Sequence, residues 1–433
     1  MNDRRSHHDD QARTLPSRRA LLRGVAGLTV LARASAAAAE GATPPVSAHA
    51  PADDTIAPFT LHTPQHELDA LRFRLAHARW PARETVSDWS QGVPRARLEA
   101  LVAHWCSAYD FRRCEAKLNA FGQYRTRIDG LGIHFLHVRS PHEDALPLIM
   151  THGWPGSVVE FLKVIEPLTN PTAHGGKAED AFHVVVPSLP GYGFSDTPDA
   201  PGWTLGRTAR AWSVLMQRLG YDCYVAQGGD WGGGVTMLLG AARAPGLLGI
   251  HLNGPLVLPP PIVGTPSAEE ERALAQLEAF DAQGGAYARI QGERPQTLGY
   301  GLTDSPIGQA AWIYEKLAEW TDSDRDPERI FTRDEMLDNI MLYWVPATAT
   351  SSARTYWENN RHDEMRGVKV DIPVGCSVFP KDLVTVPRVW CERTFSQLFY
   401  FREVERGGHF AAFEQPALFV RELRDCFRAL RAG

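Results

Sequence analysis

The stretch from Gln227 to Gly233, QGGDWGG, follows the apolar run YDCYVA and leads into GVTMLLGAARA, which reads as a helix. Strand, glycine-flanked polar residue, helix is the layout of a nucleophile elbow, a strained turn that holds one reactive side chain above the end of a sheet. The usual occupant is serine, but here it is Asp230. Glycine-rich strand-to-helix turns also bind phosphate. This one has no GK[ST] ending and no GxGxxG, and an aspartate in the turn would repel an anion. A purely structural turn stays open until the partners of Asp230 are found.

The flanking sequence supplies the sheet that such an elbow needs. Strand-like runs GIHFLHVRS, LPLIMTHG, FHVVVPSLPG, YDCYVAQGG and LLGIHLNG are interleaved with helical GSVVEFLKVIEPL and LGRTARAWSVLMQRLG. Continuous Val/Ile/Leu runs alternating with helices predict a mostly parallel sheet covered on both faces. Residues 255–365 break the rhythm, Pro-rich at PLVLPPPIVGTP and then helical and aromatic. They read as a helical cap inserted between two strands, over the strand ends where such sheets carry their sites. The rhythm returns with DIPVGCSVFP, LFYFREVERGG and a last helix, PALFVRELRDCFRALRA. Upstream, HELDALRFRLAHARWP and PRARLEALVAHWCSAYDFRRCEAKLNAF have apolar residues at helical spacing, and 40–60 reads as an Ala/Pro-rich linker. The expected divisions are 1–39, an export segment; 40–130, the linker and an extra helical region; 131–254, the first part of the core; 255–365, the cap; and 366–433, the second part of the core. With 433 residues, 44% of them apolar, there is material for a sizeable core.

Charge separates the N-terminus from everything else. Residues 1–39 hold seven arginines against three aspartates, so a net charge of −6 leaves −10 on residues 40–433, a poor surface for nucleic acid. Paired Arg18 and Arg19 precede the mild apolar run VAGLTVLA, and Ala34-Ser35-Ala36 offers small residues to a signal peptidase. Arg33 and the modest hydrophobicity suit the twin-arginine route, so a periplasmic or secreted protein is expected. The run is about half the ~20 residues that cross a bilayer, and no stable membrane insertion is expected. Six cysteines lack any CxxC spacing, which argues against zinc. Cys223 and Cys376 lie in apolar strand-like runs and read as core residues.

An elbow on such a sheet predicts the chain order nucleophile, acid, histidine. GGHFAAFEQP places His409 between a strand and the last helix, and SVFPKDLVTVP places Asp382 just beyond a strand, where it could orient the imidazole. Asp371, Glu403 and Glu405 are rivals for that acid, but they sit before or within strands. The turn after LPLIM, His152-Gly153-Trp154-Pro155-Gly156, can aim the Trp154 backbone N–H at a developing oxyanion, with a second from Trp231 after the nucleophile.

A carboxylate nucleophile selects its chemistry. Attack on an acyl carbon would give a reactive anhydride, whereas attack on an electrophilic sp³ carbon gives an alkyl ester that water can cleave. Asp230 at the elbow therefore means alkyl transfer, with His409 activating water in a second step. A carbon–halogen bond and a strained epoxide both fit. Halide release needs N–H donors such as indoles; epoxide opening needs acidic O–H donors on the ring oxygen. The cap has Tyr287, Tyr300, Tyr314, Tyr343 and Tyr356 beside Trp312, Trp320, Trp344 and Trp357, so counting does not decide between them. A catalytically silent binding protein on the same fold is the third reading.

Over 55–430 the chain resembles the microsomal epoxide hydrolase family. The resemblance is carried by WSQGVP, YDFRRCEAKLNAFGQY, IDGLGIHFLHVRS, HGWPGS, PSLPGYGFSD, GGDWGG, RPQTLGYGLTDSPIG, NIMLYWVP and RGGHFAAFEQP. It implies an α/β-hydrolase fold with an extra N-terminal region packed against the core, no cofactor and no metal, and a small-molecule epoxide as substrate. It also implies Asp230 as nucleophile, His409 as base, Asp382 as the orienting acid, and Tyr287 and Tyr356 as the two phenols that activate the epoxide oxygen. One departure is that the mammalian relatives carry a membrane anchor where this chain has its export-type segment.

Overall fold

A computed structural model of the chain describes residues 54–257, 259 and 264–431. The export segment expected at 1–39 lies outside the described residues, as does most of the linker. Among the described residues nine strands form one sheet: β1 (Ala57–Phe59), β2 (Gln123–Ile128), β3 (Leu131–Val138), β4 (Leu146–Thr151), β5 (Phe182–Pro187), β6 (Tyr224–Gly228), β7 (Leu247–Asn253), β8 (Val374–Val378) and β9 (Leu398–Glu403). Their spatial order is β1-β2-β3-β5-β4-β6-β7-β8-β9. From β5 to β9 every pairing is parallel, while β1, β2 and β3 form an antiparallel extension at one edge. Every residue of β4 is buried and so is every residue of β5 but His183, on whichever side it points. Such burial is what apolar runs without alternation demand of a sheet covered on both faces. The covering helices include two packed pairs, Leu162–Thr169 with Pro416–Arg428 and Leu205–Arg218 with Asp230–Ala241.

Two strands escaped the sequence reading. β1 is three residues long and falls inside the expected linker. β2, QYRTRI, has no apolar run because three of its four buried positions, Gln123, Arg125 and Thr126, are polar. Gln123 bonds to Asn119 and to the His134 ring, and Arg125 pairs with Asp196. The first helical segment stops at Ala76, before the Trp80-Pro81 step, whose proline disfavours helix in the residue preceding it. The second is two helices, Arg95–Ser107 and Phe111–Ala120, broken where the Asp110 side chain caps the latter by accepting from the Arg112 amide. Cys376 is buried as expected, but Cys223 is exposed, because it sits in the turn before β6 rather than in the strand.

Between β7 and β8 the chain runs through six α-helices from Ala268 to His362. Two of them begin with reciprocal capping boxes, Ser267 with Glu270 and Thr332 with Glu335. The N-terminal helices reach the core largely through this cap. Tyr109 donates to Asp338 at 2.7 Å, and His104 lies 2.7 Å from Asp334, both on the cap helix Arg333–Trp344. Among the described residues no helix is long and apolar enough to cross a membrane.

Candidate active site

Asp230 follows β6 with φ of 52°, a left-handed conformation that costs a residue with a side chain about 1–3 kcal/mol. The glycines around it are obligatory at close range. A Cβ at Gly228 would sit 2.2 Å from the Gly232 carbonyl oxygen, and one at Gly232 would sit 2.0 Å from that of Thr151. The turn therefore presses the first coil of the helix Asp230–Ala241 onto the end of β4, leaving the carboxylate in front of the loop after β4. There the Trp154 amide donates to Asp230 Oδ1 at 2.8 Å. The Trp231 amide belongs to the first turn of the helix, whose N–H groups have no acceptor within it.

The loops after β8 and β9 bring the other two members. They continue side by side past the strands, with Lys381 bridged to Gly408 and the Lys381 amide donating to the Gly407 carbonyl. This sets Asp382 against His409, with Oδ1 2.8 Å from Nδ1, while His409 Nε2 lies 3.5 Å from Asp230 Oδ2. The imidazole thus has a carboxylate on each nitrogen. Burial opposes its charge, but the charges and hydrogen bonds of Asp382 and Asp230 prevail and hold it well above the ordinary histidine range. The rival acids are elsewhere: Asp371 pairs with Arg243 on the surface, Glu405 pairs with Arg421, and Glu403 is exposed.

The structure sorts the aromatic residues of the cap. Tyr287, on the helix Ala286–Glu293, and Tyr356, on Ala349–His362, are buried with ring centroids 5.8 Å apart. Tyr287 stacks on Trp154 at 5.0 Å, and Tyr356 meets Trp231 edge-on at 4.8 Å, so both phenols flank the residues that carry the candidate oxyanion amides. Burial, followed by the nearby Asp230 charge, pushes the Tyr287 phenol up; in Tyr356 burial again leads, joined by Tyr287 and Asp230. Both stay protonated donors. Tyr300 is 72% exposed and Tyr314 packs on Trp89, away from the site. Tyr343 braces it instead, donating to the Gly156 carbonyl at 2.6 Å. Of the tryptophans, Trp320 lies against His409 at 5.1 Å and its carbonyl accepts the His409 amide at 2.8 Å, whereas Trp312 donates to Gln291 and the Trp357 ring lies under the Arg361 guanidinium.

Three contributors were not anticipated. Asn339 holds the oxyanion turn, donating to the Pro155 carbonyl at 2.8 Å. Glu414 accepts the amides of Gly408 and Phe410, the neighbours of His409, together with that of Asp322. Glu160 shares a cavity with Asp230 and His409. The available signal was a lone acid inside an apolar run, VVEFL for Glu160 and AAFEQP for Glu414.

The chain is similar to known proteins over most of its length. A model described as the epoxide hydrolase N terminus matches residues 56–161, and one for the alpha/beta hydrolase fold matches 147–302. A protein of Stigmatella aurantiaca named "Putative epoxide hydrolase" is 60% identical over 96% of this chain and 96% of its own length. Epoxide hydrolase 1 of Sus scrofa is 36% identical over 86% of this chain and 88% of its own. The crystal structure of juvenile hormone epoxide hydrolase from the silkworm Bombyx mori superposes with a TM-score of 0.80 at 29% identity, covering 88% of this chain and 96% of that one. With its mostly parallel sheet, inserted cap and matching N-terminal region, the chain belongs to the epoxide hydrolase family of the α/β-hydrolase fold.

Proposed function

We propose that the protein converts an epoxide and water to a vicinal diol through an alkyl ester on Asp230. The observation that carries this reading is the asymmetry of the Asp230 carboxylate: Oδ1 is held by the Trp154 amide, while Oδ2 faces His409. Oδ2 is then the attacking oxygen. It bonds to an epoxide carbon as the carbon–oxygen bond of the ring breaks, and the leaving alkoxide is met by the Tyr287 and Tyr356 hydroxyls. Oδ1, held by the Trp154 amide, becomes the ester carbonyl oxygen, with the Trp231 amide as the second donor assigned to the tetrahedral intermediate.

The ion pair gives the cycle its order. The alkoxide takes up one proton and His409 sheds one, because alkylation removes the Asp230 charge that helps to hold the imidazole protonated. Neutral His409, still oriented by Asp382, then deprotonates water as it adds to the ester carbon. When the ester bond breaks, one proton of that water ends on the diol and the other on His409, restoring the resting pair. No step calls for a cofactor.

Dehalogenation is the second reading, favoured by the Trp231 indole N–H, which is buried without a hydrogen-bond partner and could hold a halide. The paired phenols favour the epoxide. The test uses His409→Gln, which retains the first step and lacks the base for the second. Intact mass spectrometry after mixing with styrene oxide should give one adduct of the epoxide's mass per site, mapped to Asp230. Wild-type enzyme in a single turnover in ¹⁸O-water should return diol whose new oxygen is mostly unlabelled. Label in that first diol would mean direct attack by water, and halide release from alkyl bromides without epoxide turnover would move the assignment to the second reading.

A further inference from the structure

A small cavity lies between the Asp230 elbow and the His409 loop, lined by Asp230, His409, Glu160, Asn253 and Trp154 among others. The volume open to a water's centre is about 20 Å³, where roughly 10–15 Å³ suffices for one water with two to four polar partners. It has the size and polarity of a site for a single water. Glu160 is the one acid in its wall that the reaction above does not use.

Glu160 stands on the short turn Val158–Phe161 that follows the oxyanion loop. Its carboxyl lies over Gly156, where a Cβ would come 1.3 Å from Oε1, so the absence of a side chain at 156 is what lets the acid reach inward. It is partly buried and lines the cavity. Burial pushes the carboxyl up to about 8; His409 opposes the rise, Asp230 adds to it, the Ser157 amide opposes it, and Glu414 adds to it. The Tyr343 phenol also feels its charge.

We propose that this cavity is the station of the hydrolytic water and that Glu160 holds it, accepting one O–H while His409 Nε2 takes the other proton and the oxygen adds to the alkylated Asp230 carboxyl carbon. The inference rests on the covalent reading above. A carboxyl held protonated by burial accepts through its carbonyl oxygen, so Glu160 needs no charge for this role. Glu160 gains and loses no covalent bond to substrate.

Glu160→Gln keeps a neutral acceptor of the same shape, and Glu160→Ala removes it. Ester formation and ester hydrolysis are separable in a single turnover of styrene oxide followed by tryptophan fluorescence, with the ester fraction checked by intact mass. Hydrolysis should stay within about threefold of wild type in the first variant and slow about 100-fold in the second, with ester formation within about threefold of wild type in both, so that ester accumulates at steady state in Glu160→Ala. Wild-type hydrolysis in both variants would overturn the proposal. So would equal slowing of the two half-reactions, which is what a merely structural role predicts. If His409→Gln also traps no ester, the covalent reading itself is what fails.

Discussion

Asp230, Asp382 and His409 stand on loops that leave parallel strands on one side of the sheet, and the ladders between β6 and β9 set where those loops meet. Tyr287 and Tyr356 come from two cap helices that pack on each other and on the oxyanion turn, with no strand register to place them. The sheet end supplies a charge line fixed by backbone pairing, and the cap supplies neutral donors fixed by aromatic packing. Under the proposed cycle the two regions are needed at different moments, the cap when the ring opens and the His409 line when the ester is cleaved.

The largest expected effect separates those moments. Tyr287→Phe and Tyr356→Phe should each slow ring opening by about 10²–10³, the usual loss for one donor to a developing oxyanion, and the double variant should be nearly inactive. Hydrolysis of ester already formed should be unaffected, the mirror image of His409→Gln. Stopped-flow single turnovers resolve the two steps. Equal slowing of both steps by the tyrosine variants would break the division between cap and sheet.

That division also explains what was legible in the sequence. The parallel strands and the order Asp230, Asp382, His409 could be read because an apolar run, a glycine-flanked turn and a topology rule are all local or sequential signals. The resemblance to known epoxide hydrolases, rather than any count, singled out Tyr287 and Tyr356 from the other cap tyrosines. Helical periodicity says which face of a helix is apolar and not which helix it meets, so the bracing role of Tyr343 and the exposure of Tyr300 were out of reach. β2 was missed because most of its buried positions are polar, and the partners Asn119, His134 and Asp196 are distant in sequence or belong to other elements. Cys223 was misplaced by a strand boundary.

A smaller effect tests the clasp between the two regions. Tyr343→Phe removes the 2.6 Å bond to the Gly156 carbonyl and leaves that buried acceptor unsatisfied, a penalty of about 1–3 kcal/mol. Because Asn339 still holds Pro155, the oxyanion turn should loosen rather than collapse. Ester hydrolysis should fall about 10-fold, since Trp154 lies in the turn that slackens, and thermal unfolding should begin a few degrees earlier. A stability loss with unchanged kinetics would mean that the cap braces the fold without tuning the site.

The smallest effect concerns how the two regions respond to acid. The sheet carries His134 and His251, both fully buried and both pushed by burial down to about 3. The cap's Asp338, bonded to Tyr109, is pushed the other way by burial, to about 6. A histidine whose folded pKa lies below its unfolded value contributes stability above about pH 6.5, and that contribution is lost as pH falls toward the folded value. A carboxyl raised by folding contributes most below its unfolded pKa and loses it as pH rises through about 6. Acidification should therefore weaken the sheet while it strengthens the anchor between cap and N-terminal helices. His251 is the cleaner probe, since its Nε2 bonds to Ser377 Oγ at 3.0 Å while Nδ1 has no partner. His251→Gln keeps a polar group of similar size and removes the titration. Measured by urea unfolding, wild type should lose on the order of 1.4 kcal/mol per pH unit through this residue below pH 6.5, so the gap between variant and wild type should shift in the variant's favour by about 2 kcal/mol between pH 7 and pH 5. Parallel curves would mean that His251 takes up its proton as readily in the folded protein as in the unfolded chain, and that the sheet is not the acid-sensitive half.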